Sequence, residues 1–60
     1  MIEYYSIFHI IGTELKFFPH LREKKNEFGT VVKAKGEIKN LLINGWGDHI
    51  FVVIKVYKRG

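Results

Sequence analysis

The side chains with the most chemical potential in this 60-residue chain are His9, His20, His49 and the single serine, Ser6. Histidine changes charge near neutral pH and is the commonest metal ligand, so its spacing is the first thing to test. No His-x-x-x-His or Cys/His pair occurs, and there is no cysteine at all. A zinc site therefore has no local signature, and disulfides are excluded. Ser6 sits inside an apolar, strand-forming run, without the Asp/His spacing of an activated nucleophile. Gly45-Trp46-Gly47-Asp48 is glycine-rich but follows a helical pattern, whereas phosphate-binding loops precede a helix. The expectation is a non-enzymatic protein with no catalytic residue, no metal and no cofactor.

One local pattern points the other way. Leu41-Leu42-Ile43-Asn44-Gly45-Trp46, followed by Asp48-His49-Ile50-Phe51, resembles the HicA family of small RNA-cleaving toxins. That family has a helix ending in Gly-Trp and a later Gly-Ser-His motif. The resemblance implies His49 as a catalytic residue. It covers residues 41–51 only. Gly47-Asp48 stands in place of Gly-Ser, the strand between the two motifs is missing, and a hairpin precedes the helix where the family begins with its helix.

The elements that must position these residues follow from periodicity. Residues 2–11 are rich in Ile, Tyr and Phe and read as a strand. Gly12-Thr13 is a tight break before a second strand at residues 14–18, which makes an antiparallel hairpin. Pro19 should end that strand or lie at its outer edge. Residues 22–27, REKKNE, read as a solvated charged loop. Thr30 is a suitable N-cap, Phe28 is placed to pack back on the first turn, and Asn44-Gly45 is a strong stop. Between them Val31, Ala34, Ile38, Leu41 and Leu42 form a stripe of about 100° at helical spacing. A helix over residues 31–44 is expected, with Gly36 costing about 1 kcal/mol. The competing reading splits residues 30–43 into two strands, making a five-stranded all-β small barrel. Residues 49–58 are the clearest strand.

The expected fold is a single α+β domain of ββαβ order. Its three-stranded antiparallel sheet runs in the order 2-1-3, with the helix on one face. Both faces of the first and last strands are apolar, yet one helix covers one face. The uncovered face is assigned Tyr4, Phe8, Ile10, Phe51, Val53 and Tyr57, a patch larger than soluble monomers usually expose. Residues 19–26 offer an alternative cover through Leu21.

The net charge is +4 and the pI about 9.6. This charge suits an acidic partner but is also an ordinary solubility charge. Arg22, Lys24, Lys25, Lys55, Lys58 and Arg59 form the expected basic rim, with Lys33, Lys35 and Lys39 on the helix. No run of residues is long and apolar enough to span a membrane, and the N-terminus lacks signal-peptide features. A cytoplasmic location without membrane attachment is expected. The leading functional expectation is a protein-binding module, homodimeric or docked on another protein, of the inhibitor or accessory-regulator kind carried by phages and mobile elements. The alternative is a basic nucleic-acid-binding domain, stacking bases on Phe51 and Tyr57.

Overall fold

A computed structural model describes residues 2–21 and 25–59. It contains β1 (Ile2–Ile11), β2 (Glu14–Phe17), α1 (Val31–Ile43) and β3 (Ile50–Lys58). The sheet has the order β2-β1-β3, antiparallel throughout, so the ββαβ expectation holds. The sheet is open and residues 31–43 form one helix, which removes the five-stranded barrel.

Local chemistry explains each junction. Gly12 has φ 63° and no other hairpin residue has positive φ. A positive φ at the first turn position with a negative φ at the second fits the type II′ turn that matches strand twist, and only glycine enters that first position without strain. Thr30 is extended, and its hydroxyl accepts from the Lys33 amide at 3.2 Å, satisfying one of the free first-turn donors. At the other end Gly45 has φ 106°, and the Trp46 amide donates to the Leu41 carbonyl at 3.1 Å. This Schellman-type closure turns the chain sharply and lays Trp46 on the core beside Leu41.

The core lies between the sheet and α1. Ile7, Phe18, Leu21, Ala34 and Leu41 are buried, with Tyr5, Phe28, Ile38, Trp46, Phe51 and Val53 packed around them. Val31 and Ile38 of the expected helix stripe are half-buried, and Leu42 lies at its exposed margin. Leu21 therefore belongs to the helix side of the sheet and does not cover the opposite face.

β2 is short and pairs only with residues 8–11 of β1. The rest of that β1 edge is closed by residues 26–28. Phe28 exchanges two backbone hydrogen bonds with Tyr5, each 2.8 Å. Asn26 inserts its side chain where a strand residue would stand. Its Oδ1 accepts from the Ile7 amide at 2.7 Å, and its Nδ2 donates to the carbonyls of Ile7 at 2.8 Å and Phe18 at 3.0 Å. The Ser6 hydroxyl donates to the Asn26 carbonyl at 2.7 Å. Asn26 and Ser6 are buried, so the reading of residues 22–27 as a solvated loop fails at Asn26. A buried amide with its donors and acceptor engaged replaces the water that a loop residue would have used.

Replacing Asn26 with alanine should leave the Ile7 amide and the Phe18 carbonyl without their partner. Each buried orphan costs about 1–3 kcal/mol, against a total stability on the order of 3–9 kcal/mol for a domain of this length. Urea titration should therefore show Asn26→Ala largely unfolded or close to it, while Asn40→Ala on the exposed helix surface shifts the midpoint little. Gly36→Ala should have the opposite sign. A Cβ at Gly36 meets nothing within 4 Å among the described residues, so the variant should gain about 0.5–1 kcal/mol in the same titration.

Candidate functional site

Register decides which side chains share a face. Residues opposite one another in antiparallel strands point to the same side. Tyr5/Lys55, Ile7/Val53 and His9/Phe51 therefore face α1. The other face carries Tyr4/Val56, Ser6/Ile54, Phe8/Val52 and Ile10/Ile50, and β2 extends it with Phe17 beside Phe8 and Leu15 beside Ile10. Phe8 and Phe17 meet edge to face with centroids 5.6 Å apart. Among the described residues no helix packs on this side. Ile50 is 62%, Phe17 51% and Leu15 50% exposed.

The residue set assigned from sequence is thus divided by the sheet. Tyr4, Phe8 and Ile10 lie on the open face. Phe51 and Val53 lie under the helix, in contact with the core. Tyr57 is exposed on the helix-facing side, opposite Glu3. The residues that belong with Tyr4, Phe8 and Ile10 are Leu15, Phe17, Ile50, Val52, Ile54 and Val56.

Of the basic rim, Arg22 and Lys24 lie outside the described residues. Lys55 is engaged by Glu3 at 3.2 Å, and that hydrogen bond, followed by the Glu3 charge, raises the Lys55 pKa from its ordinary value. Lys58 lies 3.8 Å from Glu27. Lys25 borders the open face near Tyr4, Ser6 and Phe17, and Arg59 is exposed at the end of β3.

The three histidines, separate in sequence, converge at one end of the helix side. His9 stacks with His49 at 5.7 Å, and His20 stacks on Trp46 at 5.2 Å. Trp46 meets His49 edge-on at 5.0 Å, while Phe18 touches His9, His20, Trp46 and Phe51 at 4.9–5.6 Å. The placement of His9 opposite Phe51, and of Trp46 by the Schellman turn, creates the cluster; Gly45 signals the turn in the sequence, whereas the meeting of His9 with Phe51 is not visible without the register. No group of His, Cys, Asp or Glu suited to hold a metal occurs among the described residues. His49, the residue singled out by the toxin-like pattern, is half-buried between aromatic rings, with exposed Asp48 3.8 Å away. His9 is buried and its Nδ1 has no hydrogen-bond partner among the described residues. Burial lowers its pKa, assisted by the neighbouring charges of His49, His20 and Lys16.

No family model, curated protein or solved structure matches the chain. Among the described residues no helix is long and apolar enough to cross a membrane.

The His9 environment makes stability depend on pH. Folded His9 resists protonation, whereas the unfolded chain takes up a proton near the ordinary value of about 6.5. The unfolded state then binds more protons, so stability is full above about pH 6.5 and is lost as pH falls below it towards the lowered folded pKa. Urea midpoints at pH 7.5 and 5 should differ markedly less in His9→Leu than in the wild type. At pH 7.5 the variant should be about as stable as the wild type, since an apolar side chain leaves no orphaned nitrogen. An unchanged pH dependence would assign the effect to other groups.

Proposed function

We propose that this domain is a protein-binding module that works through the open face of its sheet. The observation that supports it is that face itself, apolar on all three strands and bordered by Lys25 and Lys58. Burial of apolar surface is worth about 25 cal/mol per Å², and soluble monomers rarely leave so continuous a patch in water. A partner of matching chemistry presents an apolar surface with acidic groups at its edge. Such a protein acts by occupying a surface, as an inhibitor or accessory regulator of the kind phages and mobile elements carry.

The nucleic-acid reading has less support. Lys55 and Lys58 already have carboxylate neighbours, and Phe51, one of the two aromatics expected to stack bases, packs against the core. Phosphate binding by a basic surface falls steeply with salt, so affinity for single-stranded RNA at low and high salt separates the two readings.

A photoreactive side chain at Leu15 or Phe17, introduced in the native host, should cross-link to one protein, while the same group at Val32, exposed on the helix, should not. Phe17→Glu should remain folded and weaken capture of that protein by at least tenfold. Equal cross-linking from Val32, or capture undiminished by Phe17→Glu, would count against the open face.

A further inference from the structure

The two sides of the sheet end differently. On one side β2 is only four residues long, with Pro19 soon after it, and the exposed stretch of β1 is closed by Asn26 and Phe28. On the other side β3 runs nine residues, pairs with β1 along its length without a bulge, and has no strand on its far edge among the described residues. It contains no proline, and its only charged side chains are Lys55 and Lys58. Natural sheets protect long apolar edges with bulges, prolines, covering segments or lysines. This one closes the first edge with chain and guards the second only with Lys55 and Lys58, each of which has a carboxylate neighbour.

The backbone pattern of that edge is defined. Tyr5 and Ile7 direct their amides and carbonyls towards residues 18–28. Alternation then turns Tyr4, Ser6, Phe8 and Ile10 towards β3, where they meet Val56, Ile54, Val52 and Ile50. The odd-numbered residues of β3, Phe51, Val53, Lys55 and Tyr57, direct their amides and carbonyls outward.

We propose that β3 pairs antiparallel with β3 of a second copy of this chain, about a two-fold axis at Ile54. With that centre Val53 faces Lys55 and Phe51 faces Tyr57 as hydrogen-bonded pairs, so every outward amide and carbonyl of the strand finds a partner. The match uses all nine residues, about 30 Å of strand. Lys55 lies opposite Val53 and Lys58 opposite Ile50, and no like charges stand directly opposed; each Lys55 also keeps its Glu3 at 3.2 Å. An axis at Lys55 would set the two ammonium groups side by side, which is destabilising. The product is a six-stranded sheet with both helices on one side and the open faces joined on the other. It uses the strand edge, so it does not depend on the partner proposed for the open face.

Sedimentation velocity of the full chain across the micromolar range reads the association. The wild type should be dimeric. Lys55→Pro removes an amide that points outward, sparing the ladder to β1, and should weaken dimerisation at least tenfold. Phe17→Glu, on the open face and away from the edge, should leave it within about twofold. Because proline risks unfolding the strand, single cysteines give an independent measure. The two Ile54 positions face each other as a non-hydrogen-bonded pair, about 4.5 Å between Cα atoms, within disulfide reach. Ile54→Cys should oxidise to a covalent dimer, whereas the two Val56 positions lie too far apart for Val56→Cys to do so. A wild-type monomer, equal cross-linking from the two cysteines, or a dimer lost in Phe17→Glu but kept in folded Lys55→Pro would overturn the proposal.

Discussion

The fold depends on one side chain replacing a strand. β1 is the centre of the sheet, and a central strand needs partners along both edges. β2 is too short to supply one edge in full. The amide of Asn26 completes it by accepting from the Ile7 amide and donating to the carbonyls of Ile7 and Phe18. This bond set does more than satisfy backbone groups. It fixes where the chain leaves β2, so that Phe18 turns into the core, and it positions Phe28 to pair with Tyr5 just ahead of the Thr30 cap. The start of α1, and with it the placement of Ala34 and Leu41 over Ile7, follows from that anchor.

From the same anchor comes the asymmetry of the molecule. One face of the sheet is filled by α1, the Phe18–Trp46 cluster and the histidines. The other has no cover among the described residues, and the long edge of β3 is equally bare. In a chain this short, one helix's worth of apolar surface completes one layer of core. The remaining apolar surface is what the two proposed associations rest on, the face with a different protein and the edge with a second copy.

Much of the architecture was legible in the sequence because its signals are local. Gly12-Thr13 identifies the hairpin, and Thr30 with Asn44-Gly45 brackets the helix. What could not be read was the side of the sheet to which each residue belongs. Alternation groups residues by parity within a strand. When both groups are apolar, it does not say which lies inside, nor how the groups of two strands match. Here even-numbered residues of β1 oppose even-numbered residues of β3. Tyr4, Phe8 and Ile10 therefore share a face with Val52 and Val56, and Phe51 and Val53 belong to the other. Asn26 was hidden for a different reason. It follows a charged run, and nothing in its neighbourhood reveals that its amide is consumed by a residue nineteen positions away. The meeting of His9, His20 and His49 likewise depends on register and on the turn after α1.

The pairing of β1 with β3 also governs when the fold can form. Ile2 lies opposite Lys58 and Ile10 opposite Ile50, so the main ladder joins the first strand of the fold with the last. The hairpin and the helix can each arise from nearby contacts, but the central strand lacks its longest neighbour until β3 docks. Closing so large a loop before any ladder contact rewards it makes folding slow for a chain of this length. During that interval the long β3-side edge and both faces of an Ile- and Tyr-rich strand are in water. The folding chain is thus most vulnerable to aggregation between the formation of its hairpin and the docking of β3, and its yield on refolding will follow how quickly that strand pairs.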